Sequence, residues 1–372
     1  MKTITYVLVA LGLVITMAAP KNVFGEESES GIVKTATEDV SLRLGGTVQP
    51  RVTFTSDEED RIGFGLRRLR LRFSANISDQ LGLFLQMEGS GASATWLDVR
   101  GEYYVNENLT LRTGRFVGTQ PRAYARTGHA NIDAIDRPAI SDKWARMTIG
   151  ADGRDYGVEA LWSNPSWELR GFLHNGHNQL NFRRGISHDP VDDGIATDGM
   201  AFSASASHWP GARNELEVGA YVSVNTSQNP LTQISGVGRN YVSYSANAYW
   251  GPLPGHQPVR VKADVIGISY QEVEPFGVQN YVGGSLFGGF LLKPHIELFA
   301  MGEYWYGDGG ELDSLAQVFG TVGGSYSLSA LQGGPFTHNR IILAYNLRTQ
   351  ESDSVDFDNV AHVVMMQMQF FF

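Results

Sequence analysis

An alternation of apolar and polar residues with period two, recurring from about residue 40 to the C-terminus, limits this chain's fold more than any other feature. Leu81, Leu83, Leu85 and Met87 interleave with Gly82, Phe84, Gln86 and Glu88. Leu216, Val218, Ala220, Val222 and Val224 interleave with Glu215, Glu217, Tyr221 and Ser223, and Val259, Val261, Ala263 and Val265 with Arg260, Lys262 and Asp264. Successive side chains of a strand point to opposite faces, so each segment offers one face to hydrocarbon and the other to water. Beyond residue 25 no apolar run approaches the roughly 20 residues that a spanning helix needs. Such a chain can enter a membrane only as strands closed into a barrel, because hydrocarbon satisfies no backbone N–H or C=O.

The connections alternate in length. Short turns are expected near Ser78-Asp79, Asn106–Asn108, Asn164-Pro165, Pro210–Asn214, Pro252–Gln257, Lys293-Pro294 and Gln332–Pro335. Longer ones are expected near 55–63, 117–153, 176–197, 226–238, 271–279, 306–314 and 349–358, with a short one near 89–94. About sixteen strands fit between them, an even number, as an up-and-down antiparallel barrel with both ends on one side requires. Trp96, Trp162, Trp167, Trp209, Trp250 and Trp305 all lie near strand ends and read as aromatic girdles. Val364, Met366, Met368, Phe370 and Phe372 share one face of the last segment, which stops on an aromatic residue. That ending is similar to the C-terminal signal read by outer-membrane assembly machinery.

The N-terminus carries the marks of export. Lys2 precedes an apolar run from Ile4 to Ala19, and Val23-Phe24-Gly25 offers a cleavage site, so residues 1–25 read as a signal peptide. Residues 26–39 form a short polar segment and 40–372 the barrel, which places the protein in a bacterial outer membrane among lipid and lipopolysaccharide. The absence of cysteine removes disulfides, thiolate metal sites and cysteine nucleophiles together. A net charge of −10, about −12 without Lys2 and Lys21, excludes a nucleic-acid binder.

Against that acidic background the segment Leu66–Phe73 concentrates positive charge. Period two puts Arg68, Arg70 and Arg72 on one face, about 7 Å apart, with Leu69, Leu71 and Phe73 on the other. Arginine facing lipid near the midplane costs roughly 2–4 kcal/mol, so the three must face the lumen. Arg100 and Arg112 share that parity on the following strands. The long connection 117–153 adds Arg122, Arg126, His129, Arg137, Lys143 and Arg146 against Asp133, Asp136, Asp142 and Asp152. Folded inward, it would set a constriction with a mild basic excess. Two readings of these cations stand side by side: an anion pathway, since arginine rings favour anions, and wall bracing by pairing with Glu88, Asp98 and Glu102.

No cofactor motif is present: there is no HExxH pair, no GxSxG elbow and no P-loop. Acidic clusters at Asp57–Asp60, Asp189–Asp193, Asp308–Asp313 and Glu351–Asp358 could hold divalent cations bridging lipopolysaccharide. A barrel enzyme would need a serine or aspartate with histidine at the rim, and Ser207-His208 is the nearest pair.

Several motifs in order resemble the phosphate-selective porin O/P family: Gly46-Thr47-Val48-Gln49-Pro50, Phe64–Phe73 with its Arg67-Arg68 pair, Leu109–Phe116 ahead of Pro121, Arg154-Asp155-Tyr156-Gly157-Val158, and Gln367–Phe372. The resemblance covers about residues 42–175 well and is looser from there to the last segment. It implies a sixteen-stranded, homotrimeric outer-membrane barrel whose lumen arginines and constriction-loop cations conduct small anions. Arg68, Arg70 and Arg72 would form its arginine ladder. The sequence departs from the phosphate-specific members, which rely on a lysine cluster: beyond residue 25 it holds only Lys34, Lys143, Lys262 and Lys293. Anion preference is therefore the expectation and phosphate or polyphosphate its finer form, with a general or cation-preferring porin as the alternative.

Overall fold

The computed structural model describes residues 32–35, 40–56, 60–149, 152–176, 200–226, 240–270, 280–308, 315–352 and 360–372. The strands are β1 (Ile32–Thr35), β2 (Ser41–Ser56), β3 (Asp60–Ser78), β4 (Leu81–Glu88), β5 (Thr95–Tyr104), β6 (Leu109–Phe116), β7 (Asp155–Ser163), β8 (Trp167–His174) and β9 (Ala201–His208). They continue as β10 (Leu216–Asn225), β11 (Tyr241–Trp250), β12 (Val259–Tyr270), β13 (Asn280–Lys293), β14 (Ile296–Asp308), β15 (Leu315–Ser327), β16 (Asn339–Ser352) and β17 (Ala361–Phe371). Each strand from β2 to β17 pairs antiparallel with the next, and β17 closes the ring on β2, from His362 opposite Ser56 to Phe371 opposite Thr47. The result is a closed antiparallel barrel of sixteen strands. The short β1 lies outside that count and pairs with β2 from Ser41 to Leu44, below the end of β17. The chain terminus is built into the seam: Gly46 N–H donates to the Phe372 carbonyl at 2.7 Å, and Phe372 N–H returns the bond at 3.1 Å.

The alternation acts as the sequence leads one to expect. Along β11, Tyr241, Ser243, Ser245, Asn247 and Tyr249 are buried inward, while Val242, Tyr244, Ala246, Ala248 and Trp250 are exposed outward. Along β17, Val364, Met366, Met368 and Phe370 face out, with Gln367 and Gln369 buried. The short turns expected between paired strands all lie at the end that carries the C-terminus, and the short connection near 89–94 joins β4 to β5 at the opposite end. One long connection is shorter than expected, since β2 runs to Ser56 and β3 begins at Asp60. Residues 1–25, expected as a signal peptide, and most of each acidic cluster lie outside the described residues.

Three departures have physical causes. Pro50 has no N–H to give the ladder, and a bulge opens there: Gln49 pairs with Arg68 but Pro50 with Leu66. Arg67 is the extra residue. Second, only Trp96, Trp162, Trp167 and Trp250 are exposed on the outer wall. Trp209 is buried under the Arg213 guanidinium at 4.0 Å, and Trp305 has lumen parity on β14, so these two are not girdle residues. Third, two short-end connections fold inward. The β15–β16 connection carries helix α2 (Leu328–Leu331), which Ser327 caps by accepting from Ala330 N–H. Its Phe336 presses on Gly255 of the β11–β12 turn, where φ is +75° and a Cβ would sit 2.3 Å from the ring.

Candidate functional site

The connection between β6 and β7 enters the barrel and adheres to one side of it. It contains a short 3-10 turn, His129–Asn131, and helix α1 (Ala139–Met147). Ile140, Trp144 and Ala145 of α1 pack on Tyr221, Tyr241, Ile266, Ile268, Tyr270 and Trp305 of the wall. Ala134 and Ile135 cover a second apolar patch of Phe287, Phe299, Met301, Ile342 and Met365. The apolar residues that face the lumen between β10 and β17 are thus covered by a loop and not by water.

Polar anchors fix the register of this loop. Asp133 accepts from Arg260 at 2.5 Å and Lys262 at 2.8 Å; Arg260 also donates to Glu297 at 2.6 Å. Asp136 accepts from Arg51 at 2.7 Å and Arg67 at 3.0 Å. Burial opposes its ionisation, but these two partners hold the Asp136 carboxyl at about 2. Arg340 donates to the carbonyls of Ala130 and Ile132 at 3.1 and 2.6 Å, and Glu303 accepts from Ile140 N–H at 3.1 Å. His129 Nε2 lies 2.6 Å from Thr47 Oγ1, and its Nδ1 3.4 Å from Arg70. Arg70 can only donate, so Nδ1 accepts and Nε2–H donates, which is the neutral imidazole. Burial first, then the Arg70, Arg72 and Arg68 charges, holds its pKa well below the usual 6.5.

What the loop leaves open is a cavity of about 1040 Å³, lined by fourteen arginines and six carboxylate residues. Of the nine expected site residues, Arg68, Arg70, Arg72, Arg100, Arg112, Arg122, Arg126 and Arg146 line it. Lys143 stands apart on α1, its ammonium 5.8 Å from the Phe319 ring. Many of these cations are braced. Arg70 pairs with Glu88 at 2.8 Å, Arg100 with Glu102 at 2.9 Å and Arg112 with Glu102 at 3.1 Å. Arg122 pairs with Glu217 at 2.8 Å and Arg126 with Glu168 at 2.7 Å. Asp98 is taken at 2.8 Å by Arg154 and not by the ladder. Arg72 lies 4.4 Å from the Phe371 ring, and Arg68 has only neutral Gln49 at 2.8 Å.

Arg67, Arg137 and Arg154, named from the sequence in a motif or in the loop but not as pore-lining, also line the cavity, as do Arg43, Arg170 and Arg213, which the sequence reading did not name. Arg170 shares inward parity with Glu168 on β8, a signal the period-two reading could have used; Arg67 is inward only through the bulge. Ser207 and His208 point to opposite faces of β9: Ser207 is buried in the lumen, while His208 lies 4.2 Å from the Trp167 ring outside.

The barrel superposes on several solved outer-membrane proteins. The anion-selective porin of Comamonas acidovorans matches with a TM-score of 0.64 at 12% identity, over 90% of this chain and 100% of that one. The outer membrane channel DcaP of Acinetobacter baumannii gives 0.61 at 13%, over 92% and 100%. Salmonella typhi OmpF, solved with daunomycin, gives 0.60 at 12%, over 91% and 100%. No protein-family model and no curated protein sequence matches the chain. At such identities the likeness is one of fold, and the class it defines is the porin-type sixteen-stranded barrel.

Proposed function

We propose that the protein is an outer-membrane pore through which small hydrophilic solutes diffuse, with a preference for anions. The observation that carries the reading is the lining of the cavity, fourteen arginines to six acids, in a chain whose net charge is −10. Sixteen strands enclose more space than side chains fill, and guanidiniums can replace part of an anion's hydration while it steps between them. The O/P-type motifs extend the reading to phosphate or polyphosphate, to a homotrimer, and to delivery by assembly machinery through the strand ending at Phe372. Export by residues 1–25 and a place among outer-membrane lipid and lipopolysaccharide belong to the same reading.

The zero-current potential of the purified protein in a planar bilayer, across a KCl gradient, tests it. We expect a sign reporting chloride preference, reduced severalfold in permeability ratio when Arg68, Arg70 and Arg72 become alanine. A sign reporting potassium preference would reject the reading. A general or cation-preferring pore draws support from the pairing of Arg70, Arg100, Arg112 and Arg126 with carboxylates, which spends those charges on the wall. A barrel enzyme has less support, because its nearest pair, Ser207 and His208, is split between the two faces.

A further inference from the structure

The wall of this barrel is uneven in height, and a low part stands directly beside a tall one. Strands β4, β6, β8 and β9 have 8 residues each, whereas β13 and β16 have 14 and β3 has 19. A strand of that short length extends about 27 Å, and at a tilt of roughly 35–45° it stands about 20 Å tall. The apolar band of an outer-membrane barrel is about 25 Å. The turn below β4 carries Asp79 and belongs at the aqueous surface, so the upper end of β4 stops inside the hydrocarbon. The connection there, Gly89-Ser90-Gly91-Ala92-Ser93-Ala94, holds no charge and is exposed from Gly91 to Ala94. Lipid satisfies no backbone N–H or C=O of an irregular segment, so protein has to cover it.

Beside this low wall β3 rises without a neighbour. Its last contact with β4 is at Leu69, whose N–H donates to Glu88 Oε1 and whose carbonyl accepts from Gly89 N–H, both at 2.8 Å. From Asp60 to Arg68 it pairs with β2 alone among the described residues. Arg61 to Arg67 are all exposed, and the outward-facing Ile62 and Phe64 are 73% and 88% exposed. An apolar face with an unpaired strand edge is a template for another chain.

We propose that a second copy of this chain covers both features: the β2–β3 hairpin of one copy lies over the low wall from β4 to β8 of the next. This surface rests on the homo-oligomer part of the functional reading and specifies where the copies meet. Insertion in one membrane gives every copy the same up-and-down direction, so rotation about the membrane normal relates them. A hairpin then reaches its neighbour's gap at the height at which it stands. A projection that meets a recess is a head-to-tail contact, which closes into a ring. Five strands at about 4.8 Å spacing and about 20 Å height present roughly 480 Å², and the hairpin edge adds about 270 Å². That is close to the roughly 800 Å² per partner of a stable interface.

The chain has no cysteine, so introduced ones report contact without background. Phe64→Cys and Ser93→Cys are made separately in the full-length chain, expressed alone or together, and oxidised in outer-membrane fragments. We expect severalfold more covalent dimer from the mixture than from either alone, with peptide mass spectrometry joining the two sites. Ile62→Asp combined with Phe64→Asp should convert the oligomer to monomers in detergent, read by light scattering, that keep the heat-modifiable gel mobility of a folded barrel. Should that variant not fold, the cross-link decides alone. A parent protein that is itself monomeric would overturn the homo-oligomer reading and this surface together. An oligomeric parent that gives no such cross-link, or that stays oligomeric with both aspartates, overturns the surface alone. So does a disulfide confined to one chain in the doubly substituted Phe64→Cys/Ser93→Cys protein, since the chain would then cover its own gap. The zero-current potential of the unaltered protein tests anion preference apart from all of these.

Discussion

Arg260 shows how much a single charge can bear in this lumen. It is fully buried, with Glu297 at 2.6 Å, Asp133 at 2.5 Å and the Phe287 ring at 5.0 Å. Removing one partner of a buried pair strands the other charge, at a cost of about 3–5 kcal/mol. Arg260→Met should lower the unfolding free energy by that order, read by urea titration in lipid vesicles, and replacing Glu297 with leucine as well should recover part of it. The exposed Arg348→Met control should stay within about 0.5 kcal/mol; equal stability of Arg260→Met and the parent would refute the assignment. Inward parity was legible in the sequence for Arg68, Arg70, Arg72, Arg100 and Arg112, because period two is a property of the strand itself. Which carboxylate each one meets was not, since that depends on inter-strand register: Asp98 went to Arg154 and not to the ladder. Arg67 escaped for a different reason. One proline without an N–H shifts the parity of everything beyond it.

The loop from residue 117 to 153 was legible as an inward segment but not in its detail. Its connection length gave it away, while α1 lay hidden in the Ile140, Trp144 and Met147 spacing, which is too short to stand out against irregular neighbours. His129 makes its docking sensitive to acid. The docked imidazole is held neutral with a pKa well below 6.5, whereas a released imidazole takes up a proton near that value. The released state therefore binds more protons below pH 6.5, so docking is fully favoured above it and weakens as pH falls, by at most about 1.4 kcal/mol per unit. Asp136, held at about 2 by Arg51 and Arg67, stays ionised throughout this window. Asp142, with its carboxyl pushed up by burial, works in the opposite sense nearer the carboxylate range. Single-channel recordings should show more frequent conductance fluctuations at pH 5 than at pH 7, and His129→Gln should remove the difference. Identical traces at both pH values in the unaltered protein would sink this account.

Taken as one body, the barrel divides its interior: the loop covers the apolar patches and their polar anchors between β10 and β17, and the arginine side remains open to solute. Composition pointed the other way, since the acidic excess of −10 belongs to the whole chain and not to its bore. Strand number and closure were legible because alternation and connection length are local. The division of the lumen was not, because it depends on which inward positions a distant segment covers; Ile266 and Trp305 face the bore yet never meet water. The open side carries fourteen arginines and six acids, and such a spread of charge attracts anions over a distance set by salt. Screening shortens that reach from about 10 Å at 0.1 M to about 3 Å at 1 M. If the diffuse field sets selectivity, the chloride-to-potassium permeability ratio should fall severalfold when the KCl gradient is centred on 1 M in place of 0.1 M. Contact with individual guanidiniums at a narrow point is screened far less, and would leave the ratio unchanged. We expect the fall, because most of these cations are already braced by carboxylates and act on a passing ion through their net excess. A ratio constant with salt would shift the selectivity to single contacts such as Arg68, and the triple alanine variant should then abolish it at every concentration.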